Sequence, residues 1–358
     1  MLAPPKTSTR IRVLVVDDAV VVRRMVSDAL ASDPELEVAG TAHNGRLALE
    51  RIPQLRPDVV TLDVEMPELD GLETLRALRK SYPRLPVIMF STLTERGAAA
   101  TLDALALGAN DYVTKPSNVG SVALAQQRIR DELVPKIKAW CRGAVPAAGK
   151  PVVARVSTVP SIAVRAARIE IVAVGVSTGG PNALAELLAA LPASFPVPVV
   201  IVQHMPPVFT RLLAERLDAR SPLSVREAAG GEELAAGQVW LAPGDYHLEV
   251  VRRVGKLCTR LHQQPPENSC RPAVDVLFRS VAAAQGAGAL AVVMTGMGQD
   301  GLRGCEAIRQ AGGRVFAQDE VTSVVWGMPG AVVRAGLAEQ VLPLCELAPA
   351  LMRAVSRG

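Results

Sequence analysis

The chain has 358 residues, 49% of them hydrophobic, and a formal net charge of +4. This length predicts two or three domains, and the small, dispersed charge gives little support for binding to nucleic acid or to a membrane surface. The five cysteines form no C-x-x-C pair, which argues against a structural zinc site or a disulfide framework and suits a reducing cytoplasm. We also expect no signal peptide and no membrane insertion.

Strand and helix patterns alternate along the first part of the chain. Apolar runs at Ile11–Val16, 38–41, 59–62, 87–90 and Asp111–Thr114 predict five strands, with helical spacing of apolar residues between them. Five strand–helix units in about 120 residues imply a doubly wound, flavodoxin-like parallel sheet. Such a sheet binds its ligands at the carboxyl ends of the strands.

Polar side chains stand at those predicted strand ends. Asp17 and Asp18 end the first strand, Asp63 the third, Ser91 the fourth and Lys115 the fifth. Three carboxylates at one sheet edge repel one another unless a cation neutralises them, and such oxygen ligands suit Mg²⁺. A lysine and a hydroxyl beside them suit a phosphoryl group. Each residue alone could be an ordinary loop residue, but five at the strand ends favour a shared site.

The segments 13–18, 57–67, 70–71 and 114–116 together resemble a response-regulator receiver domain, and the resemblance covers residues 10–139. It implies that Asp63 is the phospho-acceptor and that Lys115 contacts the phosphoryl oxygens. The residues implied around Mg²⁺ are Asp17, Asp18, Asp63 and Glu65, the last through its carbonyl. Ser91 and Tyr112 would be the switch pair that reports phosphorylation.

A connector follows the last predicted receiver helix, at residues 121–139. Residues 142–168 are rich in Ala, Pro, Val, Gly and Ser and show little periodicity, which is typical of a linker. We therefore place a linker at 140–167 and a second domain at 168–358. No pair of helices typical of a DNA-reading output domain stands out here, which disfavours a transcription factor.

The second domain opens on Ile171–Val176, a predicted buried strand, followed by a predicted helix at 183–190. Ser177 stands between them, on a turn for which Gly179 and Gly180 supply backbone freedom. A helix N-terminus there would favour a developing negative charge. Two interpretations fit: a nucleophile elbow, and a phosphate-binding glycine turn of a nucleotide fold. The spacing resembles the elbow and lacks the full G-x-G-x-x-G pattern.

Two further predicted strands end in groups that a serine nucleophile would need. His204 follows the strand at 197–202, and Asp300 lies in the glycine-rich turn after the strand at 289–294. His204 alone could be a structural hydrogen-bonding residue, and Asp300 alone could cap a helix. A nucleophile at the same sheet edge, however, needs a base, and the base needs an acceptor that holds its tautomer. Nor does an acidic residue end the strand of His204, where a nucleotide fold places its ribose partner.

Short strands at 238–241, 248–251 and 256–261 predict a β-hairpin excursion from an otherwise mostly parallel, Rossmann-like sheet. His247 and His262 fall within it. We predict both as surface or turn residues, because neither has a carboxylate or cysteine partner at ligand spacing.

A receiver followed by the motifs at 175–181, 203–205 and 295–301 resembles the CheB family of chemotaxis protein-glutamate methylesterases over nearly the whole chain. The resemblance implies that Ser177 is the nucleophile, His204 the base and Asp300 the residue that orients it. The Met297 amide would contribute to an oxyanion hole, and Thr178 would help position the histidine. Segments 271–275 and 324–329 also resemble the family, without a role that the residues reveal.

The resemblance further implies hydrolysis of glutamate γ-methyl esters on methyl-accepting chemoreceptors, with release of methanol, and deamidation of receptor glutamines. A CheA-type histidine kinase would phosphorylate Asp63 and relieve autoinhibition by the receiver. We expect Mg²⁺ for phosphorylation, no cofactor for the esterase chemistry, no nucleic-acid partner, and a cytoplasmic protein peripheral to receptor arrays. The alternatives are a phosphorylation-controlled binding module, in which Ser177 performs no chemistry, and the same esterase acting on a non-chemotaxis receptor system.

Overall fold

In a computed structural model of the chain, residues 10–116, 121–142 and 167–356 are described. The chain divides into two compact units, Met1–Gly143 and Ala144–Gly358. Both the division and most of the predicted linker at 140–167 fall outside the described residues.

The first unit is built on a five-stranded parallel sheet with the strand order β2-β1-β3-β4-β5. This order confirms the doubly wound, flavodoxin-like fold expected from the alternating pattern. The strands are β1 (Ile11–Val16), β2 (Leu36–Ala42), β3 (Val59–Asp63), β4 (Val87–Ser91) and β5 (Asp111–Thr114). The helices are α1 (Val20–Ala31), α2 (Gly45–Leu55), α3 (Gly71–Ser81), α4 (Glu95–Ala106) and α5 (Val122–Arg142).

Burial explains why the central strands β3 and β4 are apolar runs rather than alternating patterns. Every residue of both strands is buried, because helices cover both faces of a doubly wound sheet. On one face, Val13 of β1 packs in a cluster with Leu30 of α1 and Leu133 of α5. The strand ends are thereby fixed at one edge of the sheet. Helix α5 ends at Arg142, beyond the predicted end at residue 139.

The second unit contains a seven-stranded parallel sheet with the order β14-β13-β12-β6-β7-β9-β8. Its strands are β6 (Ile171–Val176), β7 (Val199–Gln203), β8 (Ser224–Glu227), β9 (Gln238–Leu241), β12 (Ala289–Val293), β13 (Arg314–Gln318) and β14 (Gln340–Leu342). Its helices are α6 (Gly180–Ala189), α7 (Phe209–Asp218), α8 (Val274–Gln285), α9 (Leu302–Gln310), α10 (Met328–Arg334) and α11 (Leu344–Val355).

Strand β6 lies at the topological switch point of this sheet. From β6 the chain moves outward through β7 to β9 and β8, and it returns to the opposite side of β6 with β12, β13 and β14. In open α/β sheets, ligands bind beyond the carboxyl ends of the strands at such a point. The fold thus favours the residues just after β6, β7 and β12 as the site.

The hairpin excursion is present, but it contains only two of the three short predicted strands. Strands β10 (His247–Arg253) and β11 (Lys256–His262) form the antiparallel pair. Strand β9 belongs instead to the main sheet, between β7 and β8. Its burial explains the difference, since Val239 to Leu241 are all buried, as a strand inside a covered parallel sheet requires.

The prediction that His247 is a surface or turn residue is wrong. His247 is only 1% exposed; its Nδ1 accepts from the Ala273 amide (3.2 Å), and its Nε2 donates to the Pro265 carbonyl (3.2 Å). Burial lowers the pKa of His247, which keeps the ring neutral. Backbone partners satisfy this histidine, so the sequence carries no ligand spacing that could reveal it.

No helix within the described ranges combines the length and apolarity needed to cross a membrane.

Candidate active site

Ser177 follows the last residue of β6, at the start of the predicted glycine turn. Gly179 has φ = +78°, a left-handed conformation that glycine adopts without strain. The Gly180 amide, the first of α6, donates to the Ser177 carbonyl at 2.8 Å. The turn therefore brings the half-buried Ser177 to the beginning of a helix, where backbone N–H groups favour negative charge.

His204 occupies the equivalent place on the neighbouring strand. In the β6–β7 pair Val176 lies opposite Gln203, so Ser177 and His204 are the next residues of two adjacent parallel strands. The side-chain amide of Gln203 donates to the carbonyls of both Ser177 (3.0 Å) and His204 (3.2 Å). This bridge fixes the two backbones relative to each other.

Asp300 completes the arrangement from the other side of β6, after β12. Its Oδ2 lies 2.8 Å from His204 Nε2, and the residue is only 3% exposed. The other N–H donors to Asp300 are the side-chain amide of Asn268 (2.8 Å) and the backbone amides of Val274 (2.7 Å), Asp275 (3.0 Å) and Gly301 (3.0 Å). Burial alone would raise the pKa of Asp300, but His204 and the backbone N–H groups lower it. Asp300 is therefore a buried, ionised acceptor.

The protonation of His204 reflects this carboxylate. Burial would lower the pKa of the ring, but the hydrogen bonds to Asp300 and Cys270 outweigh burial and raise the pKa to about 9. Because Asp300 holds Nε2, the nitrogen left to act as a base is Nδ1, which lies 3.7 Å from Cys270 Sγ. Among residues 167–356, no hydrogen bond joins the Ser177 hydroxyl to this ring. Catalytic hydrogen bonds are commonly long without substrate and tighten on binding.

The same cluster does not suit a metal ion. His204, Cys270 and Asp300 bring ligand-type atoms within 4.8 Å of one another. Both carboxylate oxygens of Asp300, however, already accept from N–H groups. Hydrogen bonding accounts for the cluster without a cation.

The turn after β12 lies directly against Ser177. The Ser177 amide donates to the Thr295 carbonyl at 3.0 Å. A Cβ added to Gly296 would lie 2.9 Å from Ser177 Cβ, so this close approach requires glycine. Met297 is the next residue of the turn. The Thr178 carbonyl accepts from the Thr295 hydroxyl (2.9 Å), and Thr178 is buried. The roles of the Met297 amide and of Thr178 toward His204 stay predictions.

Segment 324–329, which resembled the family without a visible role, holds this turn in place. The Gly296 amide donates to the Val325 carbonyl (2.9 Å), and the Met328 amide donates to the Gly296 carbonyl (2.8 Å). The Val325 amide also donates to the Thr295 hydroxyl (3.0 Å). The segment therefore supports the backbone that faces Ser177.

In the first unit, Asp17, Asp18 and Asp63 converge as expected, with oxygens within 4.8 Å of one another. The Lys115 ammonium bridges Asp17 Oδ2 (2.8 Å) and Asp63 Oδ2 (2.7 Å). Beyond Lys115, those two buried oxygens have no hydrogen-bond donor among the described residues. Burial and Asp17 raise the pKa of Asp63 to about 6, although Lys115 lowers it. A cluster of three carboxylates with a single lysine to balance them keeps excess negative charge, which fits a divalent cation.

The predicted receiver residues differ in exposure and in their contacts. Asp18 and Glu65 are exposed, and the Glu65 carboxylate lies 3.4 Å from Arg96 Nε. The Ser91 hydroxyl is buried and donates to the Gly97 carbonyl (3.0 Å). Tyr112 is also buried, and burial raises the pKa of its phenol. The switch role of Ser91 and Tyr112, and the Glu65 carbonyl as a ligand, stay predictions.

Family models and relatives match both units of the chain. The family model for CheB methylesterase matches residues 172–351, and that for the response regulator receiver domain matches residues 13–125. A protein-glutamate methylesterase/protein-glutamine glutaminase of Nocardioides sp. is 56% identical over 352 residues, covering 97% of this chain and 96% of that protein. The protein of the same name from Trichodesmium erythraeum is 53% identical, covering 97% and 99%.

The chain belongs to the CheB methylesterase family. Its first unit is a response regulator receiver domain, and its second is a CheB methylesterase domain. The crystal structure of the Thermotoga maritima CheB methylesterase catalytic domain is 43% identical, with a TM-score of 0.51, and the match covers 52% of this chain and 99% of that domain.

Three residues of the CheB domain that contact the candidate triad escaped the sequence interpretation as functional residues. Asn268 and the backbone of Asp275 donate to Asp300, and Cys270 contacts His204. Of these three, only Asp275 lies in segment 271–275, which resembles the family without a role that the residues reveal. Because these contacts join positions 25 to 66 residues apart, neither spacing nor periodicity could have identified them.

Proposed function

We propose that this chain is a phosphorylation-regulated protein-glutamate methylesterase that also deamidates glutamine. The carrying observation is the buried, ionised Asp300 on His204 Nε2, beside a serine that follows the adjacent strand. An acceptor, a base and a hydroxyl at three neighbouring strand ends are the parts that serine hydrolysis needs. Two full-length relatives carry the name of this activity.

In the proposed reaction, the Ser177 hydroxyl attacks the γ-carbonyl carbon of a methylated glutamate and gives its proton to His204 Nδ1. Asp300 stabilises the imidazolium that forms. The carbonyl oxygen becomes an oxyanion, to which the Met297 amide would donate. Thr178 would support the ring position of His204.

The intermediate collapses when the bond to the methoxy group breaks and His204 returns its proton to the departing oxygen, which releases methanol. A glutamyl ester on Ser177 remains. His204 then takes a proton from water, the water oxygen attacks this ester, and the glutamate carboxylate and Ser177 are regenerated. With glutamine as substrate, the leaving group is ammonia. This chemistry uses no cofactor.

The receiver would control this activity through phosphorylation of Asp63 by a CheA-type histidine kinase. Asp17, Asp18, Asp63 and the Glu65 carbonyl would hold Mg²⁺, which would neutralise the charge of the phosphoryl group. Lys115 would contact the phosphoryl oxygens, and Ser91 and Tyr112 would report the modification. We assign the receiver to residues 10–139, the linker to 140–167 and the catalytic domain to 168–358, in a cytoplasmic protein that acts on methyl-accepting chemoreceptors.

The test measures methanol release from methylated receptor membranes. Wild type should release methanol, faster with Mg²⁺ and a small-molecule phosphodonor. Ser177→Ala should lose at least about 1,000-fold in rate, and a folded Ser177→Ala variant that keeps most of its rate would overturn the nucleophile. Deleting residues 1–149 should raise the unstimulated rate if the receiver is inhibitory. No release by wild type in any condition would favour a binding module or a different client.

A further inference from the structure

The loop before α8 contains a tight turn that contacts the candidate triad. The Cys270 amide donates to the Glu267 carbonyl (2.8 Å), and the Glu267 amide donates to the Cys270 carbonyl (3.1 Å). Between them, Asn268 and Ser269 have φ values of +52° and +62°. Two successive left-handed residues inside such a hydrogen-bonded pair make a type I′ turn, in which asparagine is favoured at the first position.

This turn presents the Asn268 amide to two buried carboxylates. Asn268 Nδ2 lies 2.8 Å from Asp300 Oδ1 and 2.9 Å from Asp275 Oδ2. An amide nitrogen carries two N–H groups, one for each acid. Because both partners are carboxylate oxygens, the nitrogen end of the side chain must face them. Asn268 itself is exposed, so it lies between solvent and the two buried carboxylates.

The two acids need a shared donor because they are close and buried. Asp275 and Asp300 are 1% and 3% exposed. Burial, and then the charge of Asp300, raise the pKa of Asp275, although the Gly304 amide and Asn268 oppose this. Two neighbouring carboxylates disfavour each other's ionisation unless donors lie between them, and the Asn268 amide occupies that position.

We propose that Asn268 is a positioning residue of the hydrolytic site, whose amide, shared between Asp275 and Asp300, keeps Asp300 in the place and charge state from which it orients His204. This inference rests on the proposed function. It adds a residue that contacts Asp300 and acts through it.

The charged and titratable neighbours of this pair include Cys305, whose thiol pKa is raised by burial and then by Asp275. His204 faces Asp300 and Cys270. Asp300 also feels Asp275 and Glu267, and the Glu267 carboxylate is held by Arg279 through two hydrogen bonds (2.6 and 2.7 Å). These neighbours stay unchanged when only residue 268 is replaced, so a change in the titration of His204 reports on Asn268.

Two substitutions separate positioning from a structural role. Asn268→Asp keeps the shape and tolerates the left-handed backbone, but it replaces the shared donor with a third carboxylate. Asn268→Gly keeps the backbone freedom and removes the amide, and water can then replace part of the lost hydrogen bonding. Ser269→Gly is the matched control, since it changes the same exposed turn and leaves the amide in place.

The primary measurement is the pH profile of kcat/KM for methanol release. An added negative charge beside Asp300 favours protonated His204. The acidic limb of the Asn268→Asp profile should therefore move to higher pH by about one unit or more. The ratio of wild-type to Asn268→Asp kcat/KM should become smaller as the pH rises. Asn268→Gly should lose about 10-fold in kcat/KM. Ser269→Gly should match wild type. A purely structural role would lower the rate of Asn268→Asp equally at every pH, and an unmoved limb would overturn the proposal.

A second measurement does not depend on turnover. The chain has four histidines, so the imidazole resonances of His204 can be assigned by comparison with His204→Gln and followed by NMR titration. The pKa of His204 should rise in Asn268→Asp and stay at the wild-type value in Ser269→Gly. An unchanged pKa in a folded Asn268→Asp protein would contradict the proposal even if wild type released no methanol. Absence of Ser177-dependent release with a shifted pKa would instead contradict only the proposed function.

Discussion

Asp63 of the receiver domain is the last residue of β3, Asp300 of the CheB domain lies in the turn after β12, and both are almost completely buried. Asp63 shares one cation, Lys115, with Asp17, and its pKa is raised to about 6 by burial and by Asp17. Asp300 accepts from His204 and from four further N–H groups, and its pKa is lowered despite burial.

The carboxyl edges of the two parallel sheets therefore hold carboxylates whose pKa values are shifted in opposite directions. Asp63, the proposed phospho-acceptor, lies in a cluster with excess negative charge, and within the described residues only Lys115 contacts its Oδ2. A carboxylate that must hold a histidine has every lone pair directed at a fixed donor, so it cannot move or change its charge easily. The following predictions test this contrast.

The largest expected effect is that of Asp300→Asn. Both carboxylate oxygens of Asp300 accept from N–H groups. The NH₂ group of the substituted asparagine must take the place of one of these oxygens, where it would face N–H donors and find no acceptor. We expect the rate of methanol release to fall by about 10³–10⁴-fold. Circular dichroism should show that the variant is folded. Activity within tenfold of wild type would mean that Asp300 does not orient His204.

The pH dependence of kcat/KM should show a large effect of the Asp300–His204 pair. His204 must be neutral to accept a proton, and its pKa is raised to about 9. The value of kcat/KM should therefore rise about tenfold per pH unit through the neutral range and level off only near pH 9. Ser177→Ala, measured at each pH, corrects for spontaneous ester hydrolysis. An acidic limb near the ordinary histidine value of 6.5 would show that Asp300 stabilises the cation weakly.

Asp63→Asn should stabilise the folded protein. The folded-state pKa of Asp63, about 6, lies above its ordinary value of 3.8, so stability falls as the pH rises from about 4 to about 6, and the full cost of ionising Asp63 remains above that pH. Removing that charge should raise the free energy of unfolding at pH 7.5 by about 1–3 kcal/mol without divalent cations. Urea denaturation measures this. The variant should also lose all stimulation by the phosphodonor, with its unstimulated rate retained. Destabilisation would argue against excess charge in this cluster.

The smallest expected effect is that of Cys270→Ala. The Sγ atom lies 3.7 Å from His204 Nδ1, and a thiol forms only weak hydrogen bonds. We expect the rate of methanol release to stay within about threefold of wild type. A larger loss would place Cys270 among the residues that hold the ring.

The main features of the site followed from the sequence because the carboxyl ends of parallel strands lie at the same edge of the sheet. The bounds of β1 and β6 were predicted to the residue, and the positions of Ser177 and His204 follow from β6 and β7 alone. The sheet membership of β9 could not be predicted, because a short buried strand has the same pattern in a hairpin. Asn268 could not be predicted either, since its partners Asp275 and Asp300 are joined to it only by the folded chain.

The central claim is that Asp300 and His204 activate Ser177, and labelling with a serine-reactive fluorophosphonate tests it most directly. Mass spectrometry of the labelled wild-type protein should find the phosphonate on Ser177, and His204→Gln should abolish the modification while the protein stays folded. Labelling of Ser177 that persists in His204→Gln, or no labelling of wild type, would contradict the claim.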